Sequence, residues 1–283
     1  MIAFSPGCAK KQPLPKPAPK PAVRQFNRIV SLAPGITEKI FYLGEQRRLV
    51  GVTSHCNYPP YAKKLTKVGG FGEPSDEKIV SLKPDLVLTS DYKAHPSFPK
   101  MQSLGLNVQD FETENFEDAI ELVQRVGDAI GVPEKARAKT AALKARVEKI
   151  RKKYAGVKDR KRVYVELWYS PVTTAGKGSF VSDMIEIAGA KNVFDDVGKP
   201  YPQVSGESVV ERDPQIIIIG YMLEKENKEA YIKNRPGWES VSAVRGGHVY
   251  SDIDPDLFLR PGPRLVDGLE AFEKKFHGGG KTE

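Results

Sequence analysis

The chain is poor in cysteine and has no long apolar run. It has 283 residues and two cysteines, Cys8 and Cys56, so we do not expect a framework of disulfides to hold the fold together. No stretch of about 18 consecutive apolar residues occurs, and the sequence therefore predicts no transmembrane helix. Hydrophobic residues make up 40% and charged residues 28% of the chain, which is typical of a globular protein with an ordinary core.

Signatures of catalysis and of metal binding are also missing. The four histidines do not recur at the spacing of metal ligands: His55, His95, His248 and His277. No Gly-x-Ser-x-Gly nucleophile elbow occurs. The segment 176–179 resembles part of a phosphate loop, but its upstream glycine is missing and Gly178 replaces the hydroxyl residue. We therefore expect no metal site, no cofactor and no enzymatic activity.

Positive charge is concentrated near the N-terminus. The net charge is +8, but the first 24 residues hold five basic side chains and no acidic one: Lys10, Lys11, Lys16, Lys20 and Arg24. Subtracting these five from +8 leaves about +3 for the rest of the chain. No nucleic-acid-binding motif accompanies this charge, so we expect no nucleic acid partner.

The first 26 residues have the features of a membrane tether. Cys8 follows a small residue, Gly7, as the lipid-modified cysteine of a bacterial lipoprotein signal does, although Ser5 stands where leucine is usual and the apolar stretch is short. Residues 12–21 alternate proline with other residues, which favours an extended polyproline II conformation. We interpret residues 1–26 as a truncated signal remnant and a proline-rich tether. The alternative is an incidental cysteine on a disordered tail.

One segment occurs twice, 130 residues apart. The first copy spans 75–88 and the second spans 205–218. In each copy a serine precedes a short helix, a glutamate (Glu77 or Glu207) stands in the first helical turn, and a proline precedes an apolar strand. The period is too long for a solenoid repeat. The repeat therefore predicts two similar lobes with a cleft between them.

Strands and helices alternate on both sides of one long predicted helix. Residues 27–131 and 158–277 each show the alternation that is typical of a mostly parallel sheet with helices on both faces. Between them, residues 132–157 contain a helix from Pro133 to about Tyr154 with an apolar stripe. We predict an α/β fold of two Rossmann-like, three-layer lobes joined by this rigid connecting helix, with a disordered tail at 278–283.

Aromatic side chains recur in loops that follow predicted strands. In doubly wound sheets such loops face the ligand crevice. Their number in both lobes indicates a clamp for a large, flat or partly apolar ligand, although ordinary packing is an alternative for each ring. The candidate ligand-binding residues are His55, Tyr58, Phe71, Tyr92, Trp168, Tyr201, Phe258 and the nearby Arg260. Glu77 and Glu207 are candidates for docking on basic residues of a two-fold-symmetric partner.

Several segments resemble one known family. Residues 28–34, 51–60 and 201–207 resemble the periplasmic binding proteins of the cobalamin and iron-siderophore class, and the last segment resembles the cobalamin-binding branch. The resemblance implies the class III fold and capture of cobalamin or a related corrinoid, which is then delivered to an ABC importer. Phe71, Trp168 and Tyr201 would wall the corrin site, although tryptophan is familiar in the family at the first and last of these positions.

The resemblance also implies a partner and a location. Glu77 and Glu207 would meet arginines of the importer's membrane subunits. We expect a monomer in the periplasm or on the outer face of the cytoplasmic membrane, held through a lipid on Cys8, with little movement of the lobes on binding. His55 or His95 could ligate the cobalt.

Two rival functions remain at this point. A ferric-siderophore or haem carrier on the same scaffold would use Arg260 and Arg264 to bind an anionic ligand. A two-lobed transferase would need a positioned base or a phosphate cradle, and the sequence shows neither.

Overall fold

The computed structural model describes residues 25–221 and 228–278. Cys8 and nearly all of the predicted tether lie outside the described residues, as do residues 279–283 of the predicted tail. Among the helices described, none is both long enough and apolar enough to cross a bilayer.

The N-terminal lobe is a four-stranded parallel sheet with helices on both faces. Its strands, in the spatial order β2-β1-β3-β4, are β1 (Ile29–Ser31), β2 (Leu49–Val52), β3 (Leu86–Ser90) and β4 (Val108–Phe111). Its helices are α1 (Pro34–Tyr42), α2 (Asp76–Ser81), α3 (Ser97–Ser103) and α4 (Phe116–Ala129). Short 3-10 helices at Gln46–Arg48 and Pro60–Lys64 lie in its loops.

The connecting helix α5 (Pro133–Tyr154) begins and ends where the sequence predicts. Pro133 occupies its first turn, where a missing N–H costs no intrahelical hydrogen bond. The predicted apolar stripe is buried: Leu143, Val147, Ile150 and Tyr154. The opposite face carries the charged side chains, which explains why so basic a helix still packs against the protein.

The C-terminal lobe repeats the parallel arrangement and adds an antiparallel edge. Its strands are β5 (Arg162–Tyr169), β6 (Val172–Thr174), β7 (Lys191–Asn192), β8 (Ile216–Ile219) and β9 (Val249–Tyr250), in the order β6-β5-β8-β9, with β7 also paired to β5 and β6 antiparallel. Its helices are α6 (Phe180–Ile187), α7 (Gly206–Arg212), α8 (Lys228–Lys233), α9 (Ser242–Arg245), α10 (Asp256–Leu259) and α11 (Leu265–His277). A 3-10 helix spans Trp238–Ser240.

The sequence repeat is a structural repeat. The Ser75 hydroxyl accepts from the Lys78 amide at 3.4 Å at the start of α2, and the Ser205 hydroxyl accepts from the Ser208 amide at 3.2 Å at the start of α7. These helices lead into β3 and β8, the equivalent inner strands of the two sheets. Even the residues before the two prolines match, since Lys83 and Asp213 both have positive φ, 45° and 40°. The prediction of two similar lobes is therefore confirmed.

One apolar core runs through both lobes. Helices α4, α5, α6 and α11 pack against one another, and their buried side chains belong to a cluster that reaches both sheets, from Leu86 and Leu88 of β3 to Ile216 and Ile218 of β8. The outer face of each sheet has its own smaller cluster, with Val87 in one and Ile217 in the other. Each lobe is thus three-layered, and burial of apolar surface between the lobes resists their separation.

A set of polar contacts near the cleft also joins the lobes. We call it the interlobe latch: α1 supplies Gly35, Glu38 and Lys39, and the loop 260–264 supplies their partners. Arg264 donates to both carboxylate oxygens of Glu38, at 2.7 and 2.9 Å, and the Lys39 ammonium donates to the Pro261 carbonyl. A Cβ on Gly35 would lie 2.7 Å from that carbonyl oxygen, so the close approach requires glycine.

The latch predicts a large stability loss when one charge is removed. Arg264→Ala should lower the free energy of unfolding by about 3 kcal/mol, because it leaves the buried Glu38 carboxylate without its main counter-ion. Urea denaturation of the full chain measures this change.

Arg146→Ala is the matched control. Arg146 bonds to Asp267 and Glu270 on the exposed side of α5, and such surface pairs contribute less than about 1 kcal/mol. Equal small losses in both variants would show that the latch adds no stability.

Candidate ligand-binding cleft

A cavity of about 340 Å³ lies between the lobes. The N-terminal lobe supplies the start of α1 and loops that follow β2 and β3, and the C-terminal lobe supplies residues 259–261. Three of the predicted ligand-binding residues meet in its wall: His55, Phe71 and Arg260. The wall is mostly apolar, with Ala33, Pro34 and Ile36 beside the Phe71 ring. A concave site of this composition between two lobes is where a small-molecule ligand is expected.

The loop that carries Phe71 is fixed by two histidines. The His55 Nδ1 accepts from the Phe71 amide at 3.3 Å, and the His95 Nε2 bonds to the Gly72 carbonyl at 2.9 Å. Gly69 begins the loop with φ 119°, and a Cβ there would lie 2.4 Å from the Glu73 carbonyl oxygen. The backbone is thus constrained while the Phe71 side chain stays 43% exposed, as a ring that stacks on a ligand must be.

These hydrogen bonds bear on the hypothesis that a histidine ligates cobalt. His95 Nδ1 accepts from the Ser97 amide at 3.2 Å, and its Nε2 must therefore carry the proton that goes to Gly72. His95 has no free lone pair, so the hypothesis is wrong for this residue. The acceptor role of His55 Nδ1 likewise places a proton on its Nε2, which makes His55 a hydrogen-bond donor to the cavity rather than a metal ligand.

Two exposed rings of the C-terminal lobe follow the same pattern. Trp168 is 47% exposed, and its indole N–H donates to the Ser170 carbonyl at 2.9 Å, which fixes the ring at the end of β5. Tyr201 is 46% exposed and packs edge-on against Phe180. Large exposed aromatic side chains mark binding surfaces more often than chance exposure does.

Burial and charged groups of both lobes also shift the pKa of Tyr201. Burial of the hydroxyl, reinforced by the charges of Asp183 and Asp91, raises the pKa of Tyr201 to about 12. Asp183 belongs to the C-terminal lobe and Asp91 to the N-terminal lobe, so charges of both lobes act on the Tyr201 hydroxyl. At neutral pH its hydroxyl is protonated and available as a donor.

Two predicted ligand-binding residues are buried instead. Tyr92 is 3% exposed, lies in the outer core of the N-terminal lobe and stacks on His95 with ring centroids 4.2 Å apart. Phe258 is fully buried against Phe272, and a Cβ on Gly220 would lie 2.9 Å from its ring. Ordinary packing explains both rings, and the prediction that they contact ligand is corrected.

Tyr58 lies apart from the Phe71 cavity. The Arg264 guanidinium stacks over its ring, 3.8 Å from the centroid. The ring lines a separate cavity of about 380 Å³, together with Tyr42 of α1 and Leu143 of α5. Tyr58 therefore supports the latch, and the structure does not bring it together with His55 and Phe71.

The arginines of the loop 260–264 are already neutralised. Arg260 bonds to Asp256 at 2.9 Å and to the Asn57 Oδ1 at 2.6 Å, with Glu38 4.0 Å away. Arg264 is paired with Glu38. Arg260 lines the cavity, but its charge is compensated before any ligand arrives.

Sequence reasoning missed a buried polar network behind the cleft. Glu166 is fully buried in β5 and accepts from Arg235 at 2.6 and 2.8 Å, from the Tyr221 hydroxyl at 2.8 Å and from the Tyr164 hydroxyl at 3.0 Å. Burial, reinforced by the Glu166 charge, raises the pKa of Tyr164 and Tyr221. The network fixes the end of β5, two residues before Trp168. In the sequence, the signal for this network was a single carboxylate, Glu166, within an otherwise largely apolar strand.

Glu77 and Glu207 occupy equivalent exposed positions. Each stands in the first turn of its serine-capped helix. The N-termini of helices that precede parallel strands lie at the same edge of a sheet as the loops that follow its strands, so both glutamates lie toward the cleft side of their lobes. Hydrogen bonds from its own amide and from the Ser205 hydroxyl lower the pKa of Glu207.

No group of three or more histidine, cysteine or acidic side chains in the described part of the chain is arranged to hold a metal ion. The described cleft therefore offers rings, a tyrosine hydroxyl, an imidazole N–H and carboxylates as its contacts.

Comparison with known sequences places this geometry in context. The chain is 32% identical over 262 residues to the ABC transporter substrate-binding lipoprotein YvrC of Bacillus subtilis, with 90% of this chain and 81% of the relative covered. It is 30% identical over 248 residues to the vitamin B12-binding protein of Vibrio cholerae, with 86% of each covered.

Solved structures share the fold. The vitamin B12-binding protein BtuF of Vibrio cholerae matches with a TM-score of 0.74 and 28% identity, over 89% of this chain and 96% of that one. The periplasmic heme-binding protein RhuT from Roseiflexus sp. RS-1 matches with a TM-score of 0.78 and 26% identity, over 89% of this chain and 98% of that one.

Residues 29–256, most of the folded chain, match the periplasmic binding protein family. With two lobes, a connecting helix and a mostly apolar cavity between the lobes, this chain belongs to the family of periplasmic binding proteins.

Proposed function

We propose that the protein captures cobalamin or a related corrinoid in the interlobe cleft and delivers it to the membrane subunits of an ABC importer. The observation that carries the proposal is the exposure of three rings from the two lobes, Phe71, Trp168 and Tyr201, of which Phe71 lines the preformed cavity. The flat, largely apolar face of a corrin suits such rings. The proposal includes no catalytic step, no metal held by the protein and no resident cofactor.

The electrostatics of the cleft favour a corrinoid over its rivals. Haem and most ferric siderophores carry negative charge, and a site for them needs a free cation. Arg260 and Arg264 are candidates for that cation, but Arg260 is paired with Asp256 and Arg264 is paired with Glu38. The relationship to haem-binding structures such as RhuT keeps haem as the second candidate, and binding measurements decide between them.

The two lobes are held in a fixed arrangement, which suits a ligand that binds with little closure of the cleft. The continuous core and the latch fix the distance between the two ring sets, so a large rigid ligand can enter a cleft that is already formed. This preorganisation reduces the ordering cost of binding.

Delivery requires recognition by the importer. Glu77 and Glu207 are exposed, equivalent in the two lobes and toward the cleft side, which suits arginines on a two-fold-symmetric pair of membrane subunits. We propose that the protein acts as a monomer on the outer face of the cytoplasmic membrane or in the periplasm, with Cys8 as the lipid attachment site, as the relationship to a substrate-binding lipoprotein suggests.

Removing one ring should weaken binding. Trp168→Ala should raise the dissociation constant for cyanocobalamin at least about tenfold, because a central aromatic contact is lost. Equilibrium dialysis with the full chain measures this.

Tyr61→Ala is the control, since Tyr61 is 56% exposed but packs against Phe41, outside the cavity wall described above. An equal effect of both substitutions, or none of either, would contradict the proposed contact.

Removing both docking carboxylates should separate transport from binding. Glu77→Gln with Glu207→Gln should reduce uptake of labelled cyanocobalamin by cells about tenfold or more, because both carboxylates that orient the protein on the importer are lost. The affinity of the purified double variant for cyanocobalamin should not change.

Glu134→Gln with Glu148→Gln removes the same charge from α5 and should leave uptake intact. Collapse of ligand affinity in the Glu77 and Glu207 variant would show that these residues serve the ligand site instead.

A further inference from the structure

Two carboxylates, of which Asp91 lies in the cleft wall, form no ion pair with a lysine or arginine in the described part of the chain. Asp91 follows β3, is exposed and lines the cavity beside Ser90 and Phe71. Its Oδ1 accepts from the Thr113 amide at 3.2 Å, and its Oδ2 accepts from the Ser90 hydroxyl at 3.0 Å. Its backbone has φ 56°, a conformation that costs energy outside glycine and clusters at functional sites. These contacts fix the carboxylate without neutralising it.

The second carboxylate comes from the other lobe. Asp183 stands in the first turn of α6, and its Oδ2 accepts from the Phe116 amide at the start of α4 at 3.0 Å. Asp183 and Phe116 line a different cavity of about 470 Å³, whose wall also includes Arg151 and Arg160. Within the described parts of the chain, neither Asp91 nor Asp183 forms an ion pair with a lysine or arginine side chain.

Of these two carboxylates, Asp91 is the one that lines the cavity beside Phe71. Lys39 is influenced by Asp91, but it is fully buried, and burial lowers its pKa to about 7. It is therefore only partly charged at neutral pH and does not compensate Asp91 in full.

We infer that Asp91 sets ligand specificity by accepting an N–H group from a peripheral amide of the ligand and repelling tetrapyrroles that carry free carboxylates. The inference rests on the proposed function and deepens it. A primary amide donates to a carboxylate in a strong, charge-assisted hydrogen bond. A ligand carboxylate in the same place meets a like charge in a partly desolvated site, which disfavours binding by about tenfold or more. Fully amidated corrinoids would be selected over haem and over corrinoids with hydrolysed side chains.

Paired ligands test this inference. The full chain is titrated at neutral pH with cyanocobalamin and with its monocarboxylic acids, in which one peripheral amide is replaced by a carboxylate. At least one monocarboxylic acid should bind about tenfold or more weakly than cyanocobalamin. Asp91→Asn should narrow that ratio to below about threefold, because the amide variant no longer repels the ligand's charge.

Asp128→Asn is the charge-matched control. It removes one carboxylate from the far end of α4, about 18 Å along the helix from Phe116, and should leave the ratio unchanged.

The outcomes separate the inference from the proposed function. Equal binding of cyanocobalamin and every acid by the wild type, or a ratio that Asp91→Asn leaves intact, overturns the inference while the corrinoid function stands. Failure of the wild type to bind cyanocobalamin at all overturns the proposed function itself.

Discussion

The packing of α4, α5, α6 and α11 into one apolar core is the constraint on which the rest of the structure depends. These helices come from both lobes and from the connector, and they share buried side chains with both sheets. Burial of that surface makes the lobes a single packed unit, and the latch between α1 and the loop 260–264 adds a buried carboxylate, Glu38, that is paired with Arg264 and lies 4.0 Å from Arg260. The cleft is therefore a fixed gap between rigid walls. Its chemistry is decided by the loops that line it.

The loops expose rings and retain negative charge. Phe71 is held by His55, Trp168 by Ser170, and Tyr201 by packing on Phe180, so each ring is presented without being buried. The arginines of the loop 260–264 are paired with structural carboxylates, whereas Asp91, among the described residues, accepts hydrogen bonds from the Ser90 hydroxyl and the Thr113 amide. Such a site combines apolar contact area with acceptors for N–H donors. A corrin with peripheral amides matches that combination better than a ligand with free acids does.

The sequence predicts the lobes far better than it predicts the cleft wall. The repeat, the connector and its buried stripe follow from local periodicity and caps, and the structure confirms them. The same local logic placed Tyr92 after β3 correctly, but Phe258 lies in α10 and not at the end of a strand. Nor could it show that both rings turn into the core, because burial depends on packing partners such as His95 and Phe272. It also could not show that Arg260 is neutralised by Asp256 and Asn57, or that Glu166 anchors Arg235, because these contacts join separate segments of the chain.

Isothermal titration of the full chain with cyanocobalamin, with haem and with a ferric siderophore tests the central claim most directly. Exposed rings in both lobes, and a cavity whose described wall has no unpaired arginine or lysine, predict one-to-one binding of cyanocobalamin at submicromolar affinity and much weaker binding of the two anionic ligands. Tight binding of haem or of the siderophore, with no heat from cyanocobalamin, would contradict the account and place the protein with the iron and haem carriers on the same scaffold.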